Sequence, residues 1–296
     1  MDPEDLKTFY EDPTLLRDRQ RTYAVPLSGR SFVEWVLDLL DLEPVRDVLD
    51  AGAGVGRFTI PIARRLAGRP ARVVACDLFG GMLETIAAAA AQQNLAVDTR
   101  ACDIQALPFD ADGFDLVLAN HVLYHLPDID QGVRELARVT RPAGTLVATT
   151  NADDIPVAVV DLHLAALDRI GFPSEPEGAS AFSLRSGGEV LRKSFREVRT
   201  HTFRDQQVFD GASSLVAAYC TTGRFRAASG RAGIGAANLV RAAEAVASEW
   251  VDRRGGRLVS PIVMGAFVCT GPRVQTGSGT VQNTTGCLEG TRQWRT

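Results

Sequence analysis

The sequence has very little lysine and no run of basic residues. Its only lysines are Lys7 and Lys193, and the 296 residues carry a formal net charge of −4. Proteins that bind nucleic acid through its phosphates need a concentration of positive charge. The composition therefore argues against a nucleic-acid partner.

Long apolar runs and closely paired cysteines are also missing. No uninterrupted apolar segment approaches the roughly 18 residues of a membrane-spanning helix, and the acidic N-terminus lacks the apolar core of a signal peptide. The five cysteines include no C-x-x-C pair, and Cys76, Cys102 and Cys269 fall in apolar, strand-like runs where buried free thiols are common. We therefore expect reduced thiols, a cytoplasmic location and no membrane partner.

Two common catalytic signatures do not occur. The histidines, cysteines and carboxylates show neither a zinc-ligand spacing nor H-E-x-x-H, and there is no G-x-S-x-G. The sequence accordingly predicts no metal site and argues against a serine hydrolase.

The strongest positive signal is the glycine-rich stretch that follows the apolar run beginning at Val45. This run reaches Asp50 and continues as Ala-Gly-Ala-Gly-Val-Gly before a helical pattern begins. Glycine accepts positive φ and lets a ligand approach the main chain, and open α/β sheets bind ligands at the ends of such strands. A dinucleotide site needs G-x-G-x-x-G, whose third glycine would stand where this chain has Arg57. The mismatch disfavours a nicotinamide-dependent oxidoreductase, which stays open as an alternative.

Further predicted strands also end in polar side chains. The strand at 71–77 ends in Asp77, 21 positions after Gly56, where nucleotide-binding folds hold ribose hydroxyls with a carboxylate. The strand at 97–102 precedes Asp103, and the apolar strand at 114–120 ends in Asn120. Parallel strands place these ends along one edge of a sheet.

Four motifs follow one another in this part of the chain: Asp-x-Gly-x-Gly-x-Gly from Asp50, the later Asp77, the pair Asp103-Ile104, and Asn-His-Val-Leu-Tyr-His-Leu-Pro at 120–127. In this order they resemble the motifs of the class I S-adenosylmethionine (SAM) methyltransferases. The segment at 120–127 is close to the branch that includes ubiquinone and menaquinone biosynthesis enzymes. The resemblance is strong over 45–151 and weaker to residue 272. It implies an α/β fold with a Rossmann-like, seven-stranded, mostly parallel sheet, helices on both faces and a helical cap.

The resemblance also implies how SAM is bound. The glycine turn lies along the methionine part with Asp50 near the amino group, Asp77 accepts from the ribose, and Asp103 accepts from the adenine amino group. Arg30 is a candidate partner of the methionine carboxylate. The implied cofactor ligands are Arg30, Asp50, Gly52, Gly54, Gly56, Asp77, Asp103, Ile104 and Asn120.

His121 and Tyr124 are the candidate catalytic residues, because they follow the fourth strand on the side where the methyl group should point. Methyl transfer is an in-line displacement that depends on positioning, and a hydroxyl acceptor also needs a base. We expect a small-molecule acceptor that is methylated on oxygen or nitrogen. The resemblance also implies a role in natural-product or antibiotic biosynthesis. A SAM-binding scaffold without catalysis is the other alternative.

The expected organisation has three parts. Residues 1–44 form a lid and a helix, residues 45–272 form the methyltransferase domain, and residues 273–296 are a loosely packed tail. Cap elements are expected at about 152–195 and 211–252, and the sixth and seventh strands should form an antiparallel hairpin at the sheet edge. The pattern also predicts a helix over 182–195, a turn over 141–144, and a helix beginning near Phe32 that packs on the sheet. The sequence leaves a homodimer open.

Overall fold

The computed structural model describes residues 13, 16, 27–153, 157–172 and 180–273. Most of the predicted N-terminal lid and nearly all of the predicted tail lie outside these residues.

Within the described ranges, seven strands form one sheet. They are β1 (Asp47–Ala51), β2 (Arg72–Asp77), β3 (Asp98–Ala101), β4 (Phe114–Asn120), β5 (Thr140–Asn151), β6 (Phe195–Asp210) and β7 (Arg257–Pro272). Their order in the sheet is β3-β2-β1-β4-β5-β7-β6. Strands β1 to β5 are parallel, whereas β7 is antiparallel to both β5 and β6. The predicted mostly parallel sheet with an antiparallel hairpin at one edge is confirmed.

Helices pack on both faces of this sheet, as predicted, and further helices form a cap. The helices are α1 (Phe32–Leu37), α2 (Thr59–Arg65), α3 (Gly80–Gln92), α4 (Ile129–Val139), α5 (Ala158–Arg169), α6 (Gly187–Arg192), α7 (Ala212–Cys220), α8 (Gly223–Ser229) and α9 (Ala236–Asp252).

The alternation of side chains along each strand divides the core into two layers. On β4, Leu116 packs in a cluster with α1 and α2, while its neighbour Val117 packs in a second cluster with α4 and α6. Leu49 and Leu146 share the layer of Val117. Because both faces of the central strands are covered, their sequences are apolar without a polar alternation.

The cap has a hydrophobic core of its own. Helices α5, α7, α8 and α9 contribute to one buried cluster that includes Leu162, Tyr219 and Leu239. Phe209 and Leu258 belong to the same cluster, and they lie at the end of the β6–β7 hairpin where the cap helices connect the two strands. The cap is therefore anchored on the hairpin, next to the carboxyl end of β5.

Two local predictions were wrong, and one helix was missed. The helix expected over 182–195 spans only α6, because Phe182 is buried against Phe267 and Phe195 already belongs to β6. The turn expected at 141–144 is part of β5, where the pairing with β4 is irregular. Helix α8 was not predicted; the side chain of Thr222 caps its N-terminus by accepting from the Phe225 amide.

The expectation of free thiols is contradicted for two of the cysteines. Cys76 and Cys102 form a disulfide. Cys76 lies at the end of β2 and Cys102 follows the adjacent parallel strand β3, so their Cα atoms are 5.9 Å apart, within the usual range for a disulfide. The two cysteines meet because of the register between β2 and β3. The spacing of the cysteines in the sequence does not predict that register. Cys220 and Cys269 are free.

Candidate active site

A cavity of about 810 Å³ lies at the carboxyl ends of the parallel strands. Asp50, Asp77 and Asn120 line it where β1, β2 and β4 end. From there it continues beneath the cap to Val160 on α5 and Arg224 on α8. Its volume is in the range of small-molecule sites, with room for more than one ligand.

The turn after β1 is held in a conformation that requires glycine. Gly52, Gly54 and Gly56 have φ values of 72°, 55° and 82°. Gly52 and Gly54 line the cavity. Gly56 is not among the lining residues, and a Cβ on it would lie 3.0 Å from the Ile86 side chain on α3. Gly56 thus allows close packing of α3, while Gly52 and Gly54 present main chain to the cavity.

Asp77 ties this turn to the end of β2. Its Oδ2 accepts from the Gly54 amide at 2.8 Å and its Oδ1 accepts from the Phe79 amide at 3.0 Å. Burial raises the pKa of Asp77 above its ordinary value, and these backbone hydrogen bonds oppose that rise. Each carboxylate oxygen keeps a further acceptor position for a ligand hydroxyl.

Asp50 is a buried carboxyl group with one unsatisfied oxygen. Thr59 donates to its Oδ2 at 2.6 Å, whereas Oδ1 is buried without a hydrogen-bond partner. Burial raises the pKa of Asp50 to about 7, with a smaller contribution from the negative charge of Asp77. A cationic or hydrogen-bond-donating ligand group beside Oδ1 would satisfy this oxygen.

Asn120 adds a second set of unsatisfied polar atoms. Both its Oδ1 and its Nδ2 are buried without a hydrogen-bond partner, and so is the Oγ1 of Thr149, which is its register partner on β5. Buried polar groups in native proteins are nearly always paired. Asn120 lines the cavity, so its unsatisfied atoms mark a place for a polar ligand group.

The loop after β3 contributes Asp103 and Ile104 to the same cavity. Asp103 accepts from the Gln105 amide at 2.8 Å and so caps the 3-10 turn Ile104–Ala106. Ile104 is buried. The cavity thereby brings together all the predicted cofactor ligands except Arg30 and Gly56.

Arg30 lies outside the cavity. It is exposed and forms an ion pair with Asp38 at 3.7 Å, just beyond the end of α1. Its neighbours Ser31 and Phe32 do line the cavity. The structure therefore does not bring Arg30 together with the other predicted cofactor ligands.

His121 follows β4 with a strained backbone. Its φ is 52°, which is uncommon for a residue other than glycine, and its amide donates to the Thr149 carbonyl at 3.0 Å. The His121 ring lies 5.5 Å from the ring of Phe32 and 6.5 Å from that of Tyr124, measured between centroids. His121 and Tyr124 both line the cavity. Its cofactor half is lined by Asp50, Asp77 and Asp103, and its cap half by residues of α5, α8 and the β6–β7 hairpin.

Sequence reasoning missed most of the residues in the cap half. Apolar side chains dominate there, from α5 and the β6–β7 hairpin, and the polar groups are Asn151, Gln207, Thr222 and Arg224. They come from four distant segments that no local motif connects. Phe32 was predicted only as a core residue of its helix, yet it packs against His121 and lines the cavity.

The described residues contain no group of three or more histidine, cysteine or acidic side chains placed to hold a metal ion. Among the helices of the described segments, none combines the length and apolar character needed to cross a membrane.

Comparison with known proteins agrees with this geometry. The family described as "Methyltransferase domain" matches residues 49–148. A demethylmenaquinone methyltransferase of Corynebacterium efficiens is 34% identical over 157 residues, which are 53% of this chain and 64% of that protein. Methyltransferase GfsG of Streptomyces halstedii is 33% identical over 141 residues, 45% of this chain and 50% of that protein.

A solved structure shares the fold. The crystal structure of a putative methyltransferase from Bacillus halodurans has a TM-score of 0.54 with this chain at 17% sequence identity, covering 82% of this chain and 99% of that one. Residues 49–148 of this chain therefore match a methyltransferase domain, and the chain shares the fold of that solved structure. The matched region spans between half and two thirds of the length of these curated relatives.

Replacing Gly52 by alanine should destabilise the protein more than replacing Gly68. Both glycines have positive φ, but a Cβ on Gly52 would lie 2.5 Å from Cγ2 of Val122, whereas nothing lies within 4 Å of one on Gly68. The strain alone should cost about 1–2 kcal/mol in each variant, and the clash should add about 1–3 kcal/mol in Gly52→Ala. Urea unfolding of both variants measures the difference. Equal losses would show that Val122 moves aside without cost.

The variant Asp50→Asn should become more stable relative to the wild type as pH rises. The folded-state pKa near 7 exceeds the ordinary value of an aspartate, so ionisation of Asp50 increasingly opposes folding between about pH 4 and pH 7. Between pH 5 and pH 8 the difference in unfolding free energy should shift in favour of asparagine by about 2–3 kcal/mol. Urea unfolding of the ligand-free proteins at both pH values tests this. A difference independent of pH would contradict the burial of an ionisable Asp50.

Proposed function

We propose that this chain transfers a methyl group from SAM to an oxygen or nitrogen atom of a small molecule. The main support for this proposal is a set of acidic side chains and of buried polar atoms without hydrogen-bond partners at the ends of the central strands. Asp50 and Asn120 have buried polar atoms without partners, and Asp77 and Asp103 line the same cavity. SAM brings a sulfonium, an ammonium group, ribose hydroxyls and an adenine amino group, which complement these acceptors.

The residues present fit this cofactor. Gly52 and Gly54 offer main chain along its methionine part, and Oδ1 of Asp50 is available to its amino group. Asp77 has free acceptor positions for the two ribose hydroxyls, and Asp103 and Ile104 lie on the next strand's loop for adenine. When bound, SAM supplies an activated methyl group on a positively charged sulfur.

We further propose that His121 and Tyr124 orient the acceptor. Packing of His121 against Phe32 restricts its ring, and Tyr124 stands beside it, so both can fix the direction from which an acceptor approaches. For a hydroxyl acceptor, a neutral His121 can take the proton as the new bond to carbon forms. An amine that is already unprotonated needs only to be positioned.

The cap half of the cavity supports an acceptor with a largely apolar body. Val157, Val160, Ile262 and Met264 line this half, with Gln207 as one of its few polar side chains. The name of the Corynebacterium relative, a demethylmenaquinone methyltransferase, supports the same choice. A role in natural-product or antibiotic biosynthesis, a cytoplasmic location and a homodimer stay predictions from the sequence.

The two alternatives receive less support. A scaffold without catalysis would need no path from the cofactor to an acceptor, yet the cavity is continuous past His121 into the cap. A nicotinamide-dependent oxidoreductase is disfavoured by Arg57 in the glycine motif and by relatives that are methyltransferases.

Titration calorimetry with S-adenosylhomocysteine, the product form of the cofactor, should give a dissociation constant on the order of micromolar, and NADH should give no heat of binding. Asp77→Ala should weaken binding about 100-fold, because the ribose hydroxyls and the Gly54 amide lose a charged acceptor. Asp98→Ala removes an exposed acid at the start of β3 and should bind like the wild type. An unchanged affinity of Asp77→Ala would refute the ribose assignment.

Replacing His121 should reduce turnover while S-adenosylhomocysteine affinity stays within about threefold of the wild type. Asparagine tolerates positive φ and keeps a polar side chain but cannot act as a base near neutral pH, so His121→Asn separates proton transfer from backbone strain. Turnover is measured on an acceptor found by screening phenols and amines with methyl-labelled SAM. For a phenol we expect a loss of about 100-fold in both His121→Ala and His121→Asn.

Two results would contradict this role of His121. Full activity of His121→Asn on a phenol would exclude proton transfer by the imidazole. An equal fall of turnover and cofactor affinity would place His121 in the cofactor site.

A further inference from the structure

Arg57 stands directly after the glycine turn, at the position where a dinucleotide motif has its third glycine. It precedes α2, is half-buried, and lines the cavity together with Gly52, Gly54 and Phe58. It is thus the positively charged residue nearest in sequence to the turn that carries the cofactor's methionine part in our proposal.

The guanidinium of Arg57 has no ion pair and no hydrogen bond among the described residues, and burial alone lowers the pKa of this arginine. Other arginines near the sheet are paired, as Arg65 is with Glu34 and Asp38, and Arg141 is with Asp115. A partly buried charge without a partner is costly. Among the described residues, the cavity therefore contains a cation without a protein partner.

The cofactor half of the cavity combines three acidic side chains with one arginine, which complements the charges of SAM. Three acids, Asp50, Asp77 and Asp103, line this half and complement the cationic and hydrogen-bond-donating groups of SAM. SAM has a single anionic group, the carboxylate of its methionine part. Arg224, the other arginine among the described lining residues, belongs to the cap on α8.

Arg30, the sequence-based candidate for this carboxylate, is exposed and paired with Asp38 outside the cavity. Arg57 differs from it in all three respects, since it is half-buried, without a described partner, and within the cavity. Its planar guanidinium can donate two parallel hydrogen bonds to a carboxylate.

We propose that Arg57 binds the carboxylate of SAM and makes the site select SAM over its decarboxylated form. The inference rests on the proposed function. Arg57 is a positioning residue in this account: by holding the carboxylate end of the cofactor, it fixes where the methyl-bearing sulfur lies relative to His121 and the acceptor.

The test compares two ligands on three proteins by titration calorimetry. The ligands are SAM and decarboxylated SAM, which keeps the amine, the sulfonium and the adenosine. The proteins are the wild type, Arg57→Gln and the matched control Arg30→Gln. The wild type should bind SAM about 30- to 100-fold more tightly than decarboxylated SAM. Arg57→Gln should lose this preference by binding SAM more weakly, with decarboxylated SAM within about threefold of the wild type, and Arg30→Gln should keep it.

A stability measurement accompanies the titrations. Without ligand, Arg57→Gln should melt at the same temperature as the wild type or higher, because it removes an unpaired, partly buried charge. With saturating SAM, the rise in melting temperature should be smaller for Arg57→Gln than for the wild type. Arg57→Lys keeps the charge but not the two-pronged geometry, and its preference for SAM should be intermediate.

Three results would overturn the inference while leaving the proposed function intact: unchanged SAM affinity in Arg57→Gln, an equal loss of affinity for both ligands, or a selective loss in Arg30→Gln instead. A wild-type protein that binds neither ligand would overturn the proposed function, and the inference with it.

Discussion

The hydrogen bond from the Gly54 amide to the Asp77 carboxylate is the contact on which the site depends. It joins the turn after β1 to the end of β2, and the Gly52 and Ala53 amides reinforce it by donating to the Cys76 carbonyl. Glycine is needed at positions 52, 54 and 56 because the main chain takes positive φ there, and at Gly52 a Cβ would also collide with Val122. The same carboxylate that shapes the turn is the one assigned to the ribose, so cofactor binding and local structure share a residue.

The cavity and the strand ends beside it depart from the usual rule that buried polar groups are paired. Asp50, Asn120 and Thr149 have atoms without hydrogen-bond partners, Arg57 has no described ion pair, and His121 has a strained backbone. Each of these features reduces stability in the ligand-free protein. These groups cluster at the ends of β1, β4 and β5, which are neighbours in the sheet. Preorganisation of the groups for one zwitterionic ligand explains this clustering, because binding of that ligand would offset the loss of stability.

The parts of the fold and of the site that could be predicted from the sequence are those encoded in short, continuous segments. The strand, glycine turn and helix around Gly52 form one continuous pattern, and Asp77 and Asn120 end apolar runs whose order fixes their place in a parallel sheet. Long-range contacts could not be predicted in the same way. The ion pair of Arg30 with Asp38, the disulfide of Cys76 with Cys102, and the packing of Phe32 on His121 depend on how separate elements meet. In the sequence, Arg57 is only a mismatch to the dinucleotide motif. Whether its guanidinium has an ion-pair partner depends on the three-dimensional structure.

The most direct test of the central claim is a crystal structure of the protein with S-adenosylhomocysteine. We predict the ribose hydroxyls within hydrogen-bond distance of Asp77, the amino group beside Oδ1 of Asp50, and an open path from the sulfur past His121 into the cap. A ligand bound away from the glycine turn, or one whose sulfur faces a closed wall, would contradict this prediction.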